Sequence, residues 1–412
     1  AAVGIDQPAL RKRRAMLTFL ILAATAAAAV LLFYPPFANA RLWRATITPL
    51  ASIIGSGFLV LGPILTVSYG GYAPLVMAAL CACAWAFGRA IRFNIADIDG
   101  RPLDGGKPRP KWAGRLETAS SWVLAFAYII SVAYYLNLFG AFAVSLTPLD
   151  DGHNARLVTS ALLLLILVVG WTRGFSAMER MEQVSVGLKL AIIAGLLTGL
   201  SGYFIKQAQS LDLVLIPPTV TGWPAVTLAF GLIVTVQGFE TSRYLGANYP
   251  AAVRIRSMRI AQVVSSAIYM FYIVLLAYAF RPADVALTET AIIDMMAIVA
   301  PVLPLLLAAA LSAQFSAAVA DTSGSGGLIA ELTGGKISPR QAYALLVASG
   351  LALTWFANIF EIIAYASRAF ALYYAIQAAI AAIGARRAMP RAGYTALAVL
   401  GLAITLLGRS VE

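Results

Sequence analysis

Apolar residues dominate this chain in long runs, cut by short polar stretches and by glycine- and proline-bearing interruptions. A helix needs roughly 20 such residues to cross a hydrocarbon core. On that measure the pattern predicts helices at Ala15–Tyr34, Leu42–Tyr69, Tyr72–Phe93, Thr118–Leu146, Arg156–Thr172, Gln183–Ile205, Trp223–Gly246, Met258–Phe280, Val302–Glu331, Ala342–Asn358, Ile359–Gly384 and Tyr394–Leu407. Ala291–Pro301 reads as a short helix in an outer loop. The expectation is eleven spans preceded by an extra N-terminal helix, which Pro35-Pro36 stops. The other reading of that first run is a cleaved signal peptide, but its apolar part exceeds the usual ~7–15 residues.

Two of the spans are interrupted. Gly55-Ser56-Gly57 and Gly62-Pro63 lie inside the first full span, where glycine weakens a helix and proline removes a ladder donor. Two readings are open for this stretch: a small-residue packing face, or an opened backbone facing protein or a water-filled cavity. Five spans further on, Gly238 stands between Gln237 and Glu240 in another apolar run. Interrupted helices at matching places in two halves point to a transporter site near mid-membrane. The five spans from Leu42 to Ile205 and the five from Trp223 to Gly384 start on opposite sides, as an inverted repeat requires. The pair therefore favours opened backbone at both places.

Composition supports the membrane class. The chain has 412 residues, is 61% hydrophobic and 12% charged, and has a mean hydropathy of +0.84; soluble chains carry about 25% charged residues. The net charge of +12 points to topology rather than nucleic acid. If the first broken span starts in the cytoplasm, the inner loops hold twenty lysines and arginines and the outer loops four, which satisfies the positive-inside rule. Arg11-Lys12-Arg13-Arg14 alone oppose it, because they fall outside if Ala15–Tyr34 crosses; the length of the run favours crossing. Cys81 and Cys83 point to different faces of one helix, so they imply neither a disulfide nor a metal site. The single histidine, His153, lies in a loop. A membrane-embedded enzyme needs convergent catalytic side chains, and neither a histidine site nor a clustered acid pair offers them.

Charges at membrane depth are costly and often functional. Lys189 lies about two turns inside its span, either to gain and lose a proton or to snorkel to the interface. Asp321, Glu361 and Arg368 form a candidate ion-pair set. Arg368 lies seven residues after Glu361 and on its face. Asp321–Arg368, Glu361–Arg368 and Asp321–Lys189 are all open pairings, and a packing or gating ion pair is the plainest role.

Several of these residues also resemble a known family. Ile54-Gly55-Ser56-Gly57 resembles the glycine-rich break of the first helix in the amino acid–polyamine–organocation (APC) superfamily, and Gln237-Gly238-Phe239-Glu240 resembles its sixth-helix break. Asn248-Tyr249-Pro250 and the basic run to Arg259 resemble the Asn-x-Pro loop that follows, with Gly246 and Ala247 where a glutamate is usual. Trp171-Thr172-Arg173-Gly174 and Glu182 to Lys189 resemble the four-to-five connection of the ApcT-like proton-coupled amino acid transporters. The resemblance covers Leu42 to Leu407. It implies an all-α polytopic membrane protein with a LeuT-type five-plus-five inverted repeat, broken helices 1 and 6, and here an extra N-terminal and one C-terminal helix. It also implies that Lys189 is the proton-coupling group, in place of a sodium ion, facing carbonyls near Ser52 and Ile53 and the hydroxyl of Ser316. Phe315, where sodium-coupled relatives often have a second hydroxyl, disfavours sodium. No other cofactor is expected.

By the same resemblance, Gly55, Ser56 and Gly57 offer amides to a substrate carboxylate, as helix N-termini do. Carbonyls near Val236, Gln237 and Gly238 accept from an ammonium, and Tyr134, Tyr135 and Asn137 line the site from the third span. Gln237 reads equally as an interhelical hydrogen-bonder, the tyrosines as packing, and Glu240 as a structural acceptor for freed amides. Val234 and Thr235 stand where several members carry an aromatic substrate cap. The expected organisation is an N-terminal tail and extra helix (1–40), two five-helix repeats (41–206 and 207–385) and a C-terminal helix (386–412). The expected function is secondary active transport of amino acids or related small zwitterions, with protons, in a bacterial-type inner membrane. A non-transporting sensor or accessory subunit of the same fold is the alternative, because fold does not fix function.

Overall fold

A computed structural model describes residues 7–55, 57–99, 111–172, 175–245, 249–281, 284–285, 287–288 and 290–410. Among them every regular element is helical. In chain order the α-helices are α1 (Gln7–Phe33), α2 (Pro35–Ala38), α3 (Arg41–Ile53), α4 (Gly57–Tyr69), α5 (Ala73–Asp99), α6 (Lys111–Val144), α7 (Gly152–Thr172), α8 (Phe175–Gln209), α9 (Gly222–Gly231), α10 (Ala251–Ala279), α11 (Ala291–Val299), α12 (Leu303–Leu332), α13 (Pro339–Phe356), α14 (Ile359–Gly384) and α15 (Ala388–Leu407). Two 3-10 segments, Ile233–Val236 and Phe239–Tyr244, continue α9.

The first repeat runs through α3/α4, α5, α6, α7 and α8. The second runs through α9 with its 3-10 segments, α10, α12, α13 and α14. Both open on an interrupted span. The chain is thus an all-α polytopic membrane protein of the five-plus-five type, with α1 before the repeats and α15 after them. One layer packs α6 against α12, α7 and α14, with α13 against α7 and α12; another packs α10 against α5, α3 and α4. The two interrupted spans meet where these layers face each other, with α3 touching both α12 and the Phe239–Tyr244 segment.

The extra helix is not a loose appendage. It runs antiparallel along α8, with Phe33, Thr25, Ile21 and Leu17 against Gly187, Gly195, Gly199 and Gly202 in turn. A Cβ at Gly195 would lie 2.0 Å from Thr25 Oγ1 and 2.8 Å from the Ile21 carbonyl, so only glycine admits this approach. Small residues that let helices meet closely are the usual basis of packing where lipid removes the hydrophobic drive. Because α8 is itself a span, α1 lies at membrane depth along it. This carries the helix start, with residues 11–14, to the end of α8 that holds Lys206.

Candidate functional site

The site is built from helix ends. An α-helix leaves its last carbonyls without partners, and α3 stops at Ile53 inside the protein, where Ile54 leaves helical geometry at φ −85°, ψ 53°. The Ile54 N–H still bonds the Leu50 carbonyl at 3.0 Å, so the freed carbonyls begin at Ala51. Lys189 Nζ donates to the Ala51 carbonyl at 2.8 Å and to Ser316 Oγ at 3.0 Å. The Tyr269 hydroxyl lies 2.9 Å from the Ile53 carbonyl and 2.8 Å from the Thr235 carbonyl, bridging the two breaks. Pro63 removes the N–H that would meet the Leu59 carbonyl, and the Tyr272 hydroxyl approaches that oxygen at 3.4 Å.

The second break is held the same way. Ser367 Oγ donates to the Gly231 carbonyl at 2.6 Å and accepts from the Val234 N–H at 3.1 Å. Gly238 takes φ +115°, a conformation that side chains resist. Its N–H donates to Glu240 Oε2 at 3.0 Å, and the same oxygen accepts from the Tyr374 hydroxyl at 2.8 Å. Glycine also sets how near the breaks come to each other. A Cβ at Gly57 would lie 2.7 Å from Thr235 Cα, and one at Gly238 would lie 2.6 Å from the Ile53 nitrogen.

The residues singled out in the sequence thus divide. Gly55, Gly57, Val236, Gln237, Gly238 and Glu240 lie at the crossing of the breaks, and Lys189, Ser52, Ile53 and Ser316 surround the end of α3. Ser56 and Asn248 lie outside the described residues. Tyr135 reaches the crossing: its hydroxyl accepts from Gln237 Nε2 at 2.7 Å, and its ring lies 3.4 Å from the Cβ position of Gly55. Tyr134 is buried beside it, with ring centroids 5.3 Å apart. Asn137 belongs elsewhere; its amide donates to the Ala133 carbonyl and to Thr354 Oγ1 of α13, a different side of α6 from Tyr135. Lys189 meets Ala51, one residue before the expected Ser52–Ile53 pair, because the Ile53 carbonyl is held by Tyr269.

The expected ion pairs do not form among the described residues. Arg368 donates through Nε and Nη2 to the Gly408 carbonyl just past the end of α15, at 3.0 and 2.7 Å. Glu361 caps its own helix: Oε2 accepts from the Asn358 N–H, and Asn358 Oδ1 accepts from the Glu361 N–H. Seven residues put Glu361 and Arg368 on one face but about 10 Å apart along the axis. Asp321 accepts from Ser52 Oγ of α3 at 3.2 Å and from Ser131 Oγ of α6. It is fully buried. Ser131, Tyr269, Ser367 and Tyr374 carry no mark in the sequence that separates them from other hydroxyl-bearing residues in spans.

Below the crossing, a cavity of about 780 Å³ runs between α3, α6, α8, α12 and the start of α13. Arg44, Glu331 and Arg340 stand in its wall, and Tyr128, Thr241, Ala320 and Gly324 line it too. Arg44 and Arg340 belong to the positive loops, so the cavity serves the side that the charge map assigns to the cytoplasm.

This geometry agrees with what comparison of the sequence shows. The family described as APC superfamily transporter matches residues 35–408. The chain belongs to that superfamily. An uncharacterized protein of Aquifex aeolicus (strain VF5) is 40% identical over 414 residues, covering 97% of this chain and 99% of the relative. As an APC superfamily transporter, the protein is an integral multi-pass membrane protein that moves a small-molecule solute. The match begins at residue 35, after α1.

Proposed function

We propose that this transporter is a proton-coupled carrier of amino acids or related small zwitterions, in a bacterial-type inner membrane. The observation that carries the reading is the bridge made by Lys189. Its ammonium is fully buried and ties α8 to a freed carbonyl of α3 and to a hydroxyl of α12. A sodium ion would draw on the same kind of ligands, carbonyl and hydroxyl oxygens, so a cationic lysine replaces it without a bound ion. When the lysine loses its proton, the Ala51 carbonyl loses a charge-assisted donor. The hold on the end of α3 then weakens, and that helix forms one wall of the inner cavity through Arg44, Ile47 and Thr48.

Alternating access follows from the two breaks. Solute binds where α3/α4 crosses the Gly238 segment, with the amides of Gly55 and Gly57 toward its carboxylate. The layer holding α6, α7, α12 and α13 serves as the fixed wall, and the interrupted spans rock against it. Proton loss from Lys189 toward the inner cavity accompanies solute release. Solute-dependent proton movement tests this reading: vesicles loaded with a pH-sensitive dye should acidify when an amino acid that is a substrate is added outside. A panel of labelled amino acids that enters with no proton movement would remove the coupling. Entry of none would favour the sensor or accessory-subunit alternative.

A further inference from the structure

Asp321 is unexplained by the carrier cycle above. Buried charges are normally paired or neutralised, because removal from water is costly. This carboxylate is fully buried on α12, yet what it meets are two hydroxyls, Ser52 Oγ and Ser131 Oγ. Neither neutralises a charge. Lys189, the buried lysine left open as its partner, donates instead to the Ala51 carbonyl and to Ser316 Oγ.

The surroundings of Asp321 suit a ligand rather than a packing contact. On the same face of α12, Ala317 lies one turn outward and meets Gly55, with a Cβ there 3.0 Å from its own. Gly324 lies one turn inward against the ring of Tyr128. The carboxylate therefore sits between the first break and the inner cavity, whose wall includes Ala320, Ser323, Gly324 and Tyr128. Two turns outward on that face, Gln314 is fully buried, and neither its Oε1 nor its Nε2 has a hydrogen-bond partner among the described residues. Gln237 Oε1 at the second break is also without one. Tyr128 and Tyr135 lie within electrostatic reach of Asp321. The acidic groups facing it are Glu240, whose Oε2 is already held by Gly238 and Tyr374, and Glu182. A buried carboxyl held by two hydroxyls, with acids and no cation among its described neighbours, excludes anions and suits an organic cation, whose charge would keep the carboxylate ionised.

We propose that Asp321, oriented by Ser52 and Ser131, is the counter-ion for the ammonium group of the transported solute. This deepens the carrier reading, on which it rests, by naming the group that selects amines. The solute then lies along the α12 face, its ammonium at Asp321, with Gln314 and Gln237 offering hydrogen bonds to its remaining polar groups. Ser52 belongs to the end of α3, so ammonium binding bears on the same helix end that Lys189 holds from its other side.

Equilibrium binding to the purified full chain tests this, with labelled L-amino acids, their decarboxylated amines and their deaminated acids as probes. The wild type should bind at least one ammonium-bearing probe and reject its deaminated counterpart. Asp321→Asn keeps the shape and one acceptor oxygen but removes the charge, and should weaken that binding on the order of 100-fold, as loss of one partner from a buried charge pair does. Asp321→Glu, which keeps the charge, should recover part of it, and Ser131→Ala should lose about tenfold. The proposal is overturned if no ammonium-bearing probe binds, if the deaminated acids bind as tightly, or if a folded Asp321→Asn protein binds with unchanged affinity. Uptake by reconstituted vesicles separates this from the carrier reading. A probe that binds through Asp321 but never accumulates would defeat the carrier cycle alone, and accumulation undiminished in Asp321→Asn would defeat the ammonium site alone.

Discussion

Tyr269 and Gly57 show how much of the site rests on single atoms. The Tyr269 hydroxyl serves two freed carbonyls, one from each break. Tyr269→Phe should therefore cost about 1–3 kcal/mol through buried acceptors left without a donor, visible as a lower unfolding temperature in detergent. An unchanged temperature would show that the bridge does not join the breaks. Gly57→Ala forces a methyl group against the Thr235 backbone. Overpacking of this kind costs about 1–3 kcal/mol, and uptake should fall sharply. Gly114→Ala, with nothing within 4 Å of the added carbon, is the matched control and should leave uptake intact. At this scale the sequence reveals charges and hides hydroxyls. Lys189 and Asp321 stand out because an ionised group in an apolar run is rare. Ser131 and Tyr269 look like any serine or tyrosine in a span until the fold brings them to a carboxylate or a carbonyl. The ion pairs failed for the same reason: a shared helix face says which way Arg368 points, not what stands opposite.

Elements were more legible than contacts. The interruptions at Gly55–Gly57 and Gly238 are visible because glycine and proline disturb a helical ladder whatever surrounds it. The matching placement of the two breaks could be read from span counting alone. The docking of α1 could not, although Gly195, Gly199 and Gly202 already mark a smooth face on α8; a glycine face does not say which helix fills it. Paired cysteines at Ile21 and Gly199, with Cys81 and Cys83 replaced by serine, should form a cross-link on mild oxidation, since a Cβ at Gly199 meets chiefly the Ile21 side chain that the substitution shortens. Failure to cross-link in the folded protein would place α1 elsewhere. Gly199→Leu should free α1 and abolish a second cross-link placed between Leu17 and Gly202.

For the whole molecule, the positive-inside rule assigns an orientation, and α1 lying along α8 argues for one more crossing. A tag at the N-terminus should therefore be reachable from outside intact cells, and a tag in the basic stretch 101–110 should not. The opposite pattern would invert the map and move the cavity that holds Arg44 and Arg340 to the outer face. In the proposed cycle the two breaks, the rocking spans and the inner cavity act together, with Lys189 as the proposed group through which a proton gradient enters it. Accumulation of a labelled amino acid by reconstituted vesicles, with the interior made alkaline, measures this directly. The wild type should concentrate a substrate above the outside level, whereas Lys189→Ala should let it equilibrate at most. Gradient-driven accumulation by Lys189→Ala equal to the wild type would contradict the account.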